Sequence, residues 1–70
     1  MKEITSTMAG TVLNILVNVG QDVSIGQEVI ILESMKMEIP VESQISGKVR
    51  GIKMKIGDFV NEGDVLIVLE

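Results

Sequence analysis

Neither cysteine nor histidine occurs in the 70 residues, and tryptophan and tyrosine are absent as well. Disulfide frameworks, thiolate nucleophiles, the common zinc sites and the usual general base at neutral pH are thereby removed, so most catalytic mechanisms are poorly equipped here. Phe59 is the sole aromatic residue, which leaves a core to be built from aliphatic side chains. Cations are also scarce: six Lys and Arg against ten Asp and Glu give a net charge of −4 and a pI of about 4.6. That is the wrong sign for gripping a phosphate backbone, and no nucleic-acid partner is expected. Long apolar runs are missing too. The longest uninterrupted one, Val65 to Leu69, falls far short of the roughly 20 residues that span a bilayer. Residues 1 to 20 show no signal-peptide pattern. The expectation is a soluble, cytoplasmic protein with no membrane partner.

What the chain does contain is aliphatic and β-branched. Apolar residues make up 46% of the sequence, and Val and Ile together supply twenty of the seventy residues. Branching at Cβ restricts the side chain in a helix and suits the pleated surface of a sheet. A chain this short buries about 60% of the surface that its unfolded form exposes, so residues 1–70 are expected to form a single domain with no room for a separate catalytic unit.

An internal repeat organises that domain. Displacing the sequence by 37 residues aligns Met8–Glu33 with Ile45–Glu70 without a gap, with nine of 26 positions identical. Six of the seven glycines fall into the matched pairs Gly10/Gly47, Gly20/Gly57 and Gly26/Gly63, leaving Gly51 over. Glycine recurring at one offset implies a recurring backbone requirement, such as a positive φ in a turn. Each copy reads as strand, turn, short strand, turn, strand. A unit of this length cannot bury its own apolar face, and two copies are too few for a solenoid. The economical arrangement interlocks the two around a pseudo-twofold axis. The predicted fold is therefore all-β: a flattened barrel or sandwich of two antiparallel sheets around a Val/Ile/Leu core.

One stretch departs from this plan. In "ILESMKMEIPV", residues 31–41, two methionines bracket Lys36 where glycine marks the other turns. Local propensity allows a helix ending before Pro40, but the matched segment "DVLIVLE" is strand-like and decides for strands. With Met35 and Lys36 at the centre of a two-residue turn, the facing pairs become Ser34–Met37, Glu33–Glu38, Leu32–Ile39, Ile31–Pro40 and Ile30–Val41. Leu32, Ile39, Ile30 and Val41 then share one apolar face. Such turns prefer Asn-Gly or Asp-Gly, and facing Glu33 with Glu38 is mildly unfavourable. Local rule-breaking of this kind marks a functional site. Residues 38–44 align with residues 1–7, so the link 34–37 is the symmetry mate of the gap between the termini. That places Lys36 at one end and both termini at the other.

The motif "ESMKME", with the following "SGKV" and "GDFVNEGDVL", resembles the biotinyl attachment domain of biotin-dependent carboxylases, whose hallmark is a lysine between two methionines. The likeness covers essentially the whole chain and is strongest to small freestanding biotin/lipoyl attachment proteins. A start at Met1 and an end on a strand at Glu70, with no Pro/Ala-rich linker, fit that freestanding form. Ser34 stands where many carriers have alanine, and the direct run from Val23 to Glu33 leaves no place for the inserted thumb of some bacterial carriers.

The resemblance implies a carrier and not an enzyme. The Lys36 amine would take biotin from biotinyl-adenylate on a biotin protein ligase, with Met35 and Met37 recognised by that ligase. A lysine amine is almost wholly protonated at pH 7, and with no histidine at hand the ligase would have to supply the base. The biotinylated domain would then carry CO₂ from a biotin carboxylase subunit to a carboxyltransferase subunit, tethering raising the local concentration to roughly millimolar. Two rival readings remain. A lipoyl carrier, with lipoate on the same lysine, would ordinarily have Asp before it and Ala after it. An unmodified adaptor module would leave the methionines without a reason. The cations of "KVRGIKMK", residues 48–55, read as a polar sheet face, Glu33 and Glu38 as solvated strand residues, and Pro40 as the mark of an edge strand.

Overall fold

The computed structural model describes residues Met1–Glu70. Its elements are all strands: β1 Lys2–Thr5, β2 Gly10–Ile15, β3 Asp22–Val23, β4 Glu28–Ser34, β5 Met37–Glu42, β6 Gly47–Ile52, β7 Phe59–Val60 and β8 Val65–Leu69. They form two antiparallel four-stranded sheets, ordered β1-β8-β6-β3 and β5-β4-β2-β7. Displacement by 37 residues converts one order into the other, since β5, β4, β2 and β3 become β1, β8, β6 and β7. The short strands exchange partners: β3 pairs with β6 of the second copy and β7 with β2 of the first. Each copy therefore completes the other's sheet, which is how units too small to fold alone share one core.

That core is aliphatic. Val29, Ile30 and Leu32 of β4 and their mates Leu66, Ile67 and Leu69 of β8 are the most deeply buried side chains, joined by Val12, Val23, Val49 and Val60. Phe59 stays outside, 65% exposed. Strict alternation would turn only every second residue inward, yet Val29 and Ile30 are both buried. Register breaks reconcile the two: β4 slips against β5 between Glu28 and Ile30. A further pair of slips skips Leu13 of β2 and Arg50 of β6, which are themselves 37 residues apart. An extra residue of this kind bends a strand and increases its twist, helping a small sheet to curl around its core.

The matched glycines divide by physical role. Gly20, Gly26, Gly57 and Gly63 hold φ between +87° and +96°, and each is the third residue of a turn closed by a backbone hydrogen bond, as in Gln21 N–H to Asn18 C=O at 3.1 Å. The fourth residue of each turn reaches back with its side chain to the first residue's N–H: Gln21 to Asn18 and Gln27 to Ser24 in one copy, Asp58 to Lys55 and Asp64 to Asn61 in the other, at 2.8–3.1 Å. Gly10 and Gly47 answer a different demand. A Cβ on either would lie 2.9 Å from a carbonyl oxygen, that of Glu33 or Glu70. Gly51, the glycine without a mate, has open space where a Cβ would stand and no positive φ.

Buried Ser6 and Ser43 are tied down in the same paired way. Each hydroxyl donates to the carbonyl two residues on, Met8 or Ile45, and each backbone is bonded to a glycine turn, Ser6 to Gly63 and Ser43 to Gly26, both at 2.8 Å. The basic stretch is only partly a sheet face: β6 ends at Ile52, Lys53 and Lys55 lie in the loop beyond, and Met54 of that loop is buried.

Candidate functional site

The hairpin β4–β5 carries the site. Its register is Ser34↔Met37, Glu33↔Glu38, Leu32↔Ile39, Ile31↔Pro40 and Ile30↔Val41, the pairing derived from the sequence. Ile30, Leu32 and Val41 bury their side chains, which fixes the hairpin against the core, because a one-residue slip would turn that apolar set to solvent. Pro40, with no N–H to offer, falls on the outer strand of the sheet. Gly10 lets the Glu33 backbone approach at the root of the tip.

At the apex Met35 and Lys36 have φ of +53° and +65°. Two successive positive φ values define the turn that suits a right-twisted hairpin, and it ordinarily calls for Asn, Asp or Gly. No other non-glycine residue in the chain holds a positive φ. The left-handed conformation costs an L-residue about 1–2 kcal/mol, so the apex is held by the hairpin below it against the preference of its own residues.

The side chains at the apex point away from the body. Met35 is 91% exposed and Met37 61% exposed, and Lys36 between them is exposed too. The chain's one ion pair joins Arg50 to Glu70 at 3.3 Å, on the other sheet, so no carboxylate neutralises the Lys36 amine. Glu33 and Glu38 face each other, both exposed, just below. Three of the expected residues are thus brought together at one tip, with the two glutamates beneath them.

No nucleophile–base pair is assembled at the tip, and no group of His, Cys, Asp or Glu is placed to hold a metal. What the arrangement offers is an accessible primary amine on a fixed support. A covalent adduct there displaces nothing, so the residues present fit a group carried on the lysine. At the pseudosymmetric position, pairing of Lys2 with Leu69 brings the chain's two ends together.

Comparison with known proteins places this tip in a family. Residues 2–69 match the family described as "Biotin-requiring enzyme", the biotin/lipoyl domain. The chain belongs to the biotin/lipoyl domain family. It is 53% identical over 66 residues to the biotin/lipoyl attachment protein of Bacillus subtilis, covering 94% of this chain and 90% of that protein. It is 47% identical over 62 residues to the biotin carboxyl carrier protein of Streptococcus mutans, of which it spans 48%. Among solved structures, the urea carboxylase of Kluyveromyces lactis superposes with a TM-score of 0.89 at 38% identity, covering 99% of this chain and 6% of that one. The chain thus spans nearly all of one relative but only a small part of a large carboxylase. This biotin/lipoyl domain is a carrier without a catalytic step of its own, and biotin is the cofactor for which its family is described.

Sequence reasoning did not foresee the side-chain caps of the four glycine turns. Their signal is present, however, as a Gln or Asp following each turn glycine at matched positions.

Proposed function

We propose that Lys36 is the residue that carries biotin and that the domain shuttles a carboxyl group between a biotin carboxylase site and a carboxyltransferase site. The observation that carries the reading is an exposed lysine, flanked by two exposed methionines, at the one turn built on non-glycine residues with positive φ. A biotin protein ligase is the partner that would load it. In that step the Lys36 amine attacks the carboxyl carbon of biotinyl-adenylate, an amide C–N bond forms as the mixed-anhydride C–O bond breaks and AMP leaves, and the amine's proton passes to a base of the ligase. Bound biotin supplies the atom that holds the carboxyl group. This chain supplies reach and restraint, with a long flexible side chain on a turn whose backbone is fixed by the hairpin register.

The test is intact mass after incubation with a biotin protein ligase, ATP and biotin, beside Lys36→Ala and a parallel lipoyl-ligase reaction. One biotinyl adduct, absent from the variant, is the expected result. No adduct from either ligase on folded protein would refute the carrier reading for Lys36 and leave the adaptor reading. Lipoate on the same lysine is the second reading, favoured by the 53% identity to a protein named for both groups. An adduct from the lipoyl ligase alone would establish it.

A further inference from the structure

We propose that Met35 and Met37 form a reversible oxidation site, at which a hydroperoxide controls how readily a partner engages Lys36. The control rests on the reading of Lys36 as the point of attachment; the site itself rests on exposure. Of the five methionines, Met54 is buried at 9% exposure in the core, and Met8 is half-buried against it. Met35 and Met37 lie at 91% and 61%, and neither thioether belongs to the core cluster. Large apolar side chains are normally drawn inward, and a flexible thioether is a good filler of core gaps. Here two are held in solvent on either side of one lysine.

The fold asks for neither of them. The turn conformation disfavours Met35 outright, given its φ of +53°. Their sulfur chemistry is therefore free to serve whatever meets the tip.

Oxidation transfers one oxygen atom from the hydroperoxide to the thioether. The O–O bond breaks, an S=O bond forms, sulfur loses two electrons, and the peroxide leaves as water or an alcohol. A methionine sulfoxide reductase reverses the change with a thiol as electron donor, releasing water. The product is polar and chiral where the reactant was apolar and pliable. In the core this would disrupt packing. At the tip it leaves the packing untouched and alters only the surface presented around Lys36.

The experiment exposes the purified protein to limiting hydrogen peroxide, then divides it among peptide mapping by mass spectrometry, far-ultraviolet circular dichroism and a biotin-ligase assay. Met1, 90% exposed, is the internal reference for an open thioether. Met35 and Met37 are expected to oxidise at a rate close to that of Met1 and roughly tenfold faster than Met54, since susceptibility follows exposure. The dichroism spectrum stays unchanged, while kcat/KM for biotin uptake falls roughly tenfold, equivalent to about 1.4 kcal/mol, and recovers on treatment with the reductase. In a Met35→Leu/Met37→Leu variant, whose own untreated rate is the reference whatever its size, peroxide produces no further fall in biotin uptake. Oxidation of Met35 and Met37 as slow as that of Met54, or oxidised protein taking biotin at the unoxidised rate, overturns the proposal. Unoxidised protein that takes no biotin is distinguishable from both, and overturns the attachment reading together with the control.

Discussion

Replacing Met35 by glycine should make the protein more stable, although the residue lies beside the lysine proposed to carry biotin. The φ of +53° at Met35 costs an L-residue about 1–2 kcal/mol. Glycine avoids that cost but loses about 0.5–1 kcal/mol more backbone freedom on folding. The difference is a gain centred on about 0.75 kcal/mol, within a range of about 0–1.5, and little packing is lost because the side chain is 91% exposed. For a domain of this size the midpoint of thermal unfolding should rise by roughly 2–8 °C. Urea unfolding followed by far-ultraviolet circular dichroism should show a higher midpoint with an unchanged slope. Gly20→Ala is the control of opposite sign: its φ is +93° and a Cβ there meets nothing within 4 Å, so a loss of about 1 kcal/mol would be conformational alone. A destabilising Met35→Gly alongside a destabilising Gly20→Ala would refute the argument that the apex is held against local preference.

Three further outcomes follow from the same geometry. Gly10→Ala should cost about 1–3 kcal/mol through overpacking, because its Cβ would stand 2.9 Å from the Glu33 carbonyl oxygen; Gly51→Ala, in open space, should gain up to about 1 kcal/mol, and urea midpoints separate the two. Glu38→Lys, opposite Glu33, should stabilise by about 0.2–1 kcal/mol at low salt, and the gain should shrink in urea titrations at high salt as the charges are screened. Leu66→Ala, at a fully buried position, should cost about 2–5 kcal/mol, a large part of the total for a small domain, whereas Phe59→Ala at the surface should stay within about 0.5 kcal/mol in the same assay.

Much of the fold was legible because the chain states its requirements twice. A single glycine says little, but Gly20 matched by Gly57 pointed to a shared turn, and the matched strands fixed both the fold class and the hairpin register. The repeat did not distinguish why each glycine was needed. Gly10 and Gly47 are demanded by close approach to a carbonyl, a long-range fact that a local motif cannot carry, while Gly20, Gly26, Gly57 and Gly63 are demanded by φ. The skipped residues Leu13 and Arg50 were hidden for a related reason: a bulge is a relation between strands, and the two residues share a position but not a chemistry. At the tip, the turn was readable from its facing pairs, and its strain from residues that such turns avoid.

The pseudosymmetry also separates what the hairpin tip does from what the fold needs. The counterpart of the link between Glu33 and Glu38 is an open gap between Glu70 and Met1, yet β1 and β8 still pair there, Lys2 with Leu69. The turn at Met35 and Lys36 is held at a conformational cost that β1 and β8, paired here without a turn between them, do not bear. A circular permutant makes this testable: the chain is opened between Met35 and Lys36, and Glu70 is joined to Met1 by a four-residue link with Asn-Gly at its centre, matching the length of residues 34–37. The permutant should show the same far-ultraviolet dichroism and a urea midpoint near that of the parent, because the favoured turn chemistry offsets the loss of the closed tip. It should no longer accept biotin efficiently, since Lys36 would stand at a free chain end with no fixed turn beneath it. A permutant that fails to fold would mean that the tip holds β4 to β5, and one that takes biotin at the parental rate would mean that the rigid apex is irrelevant to recognition.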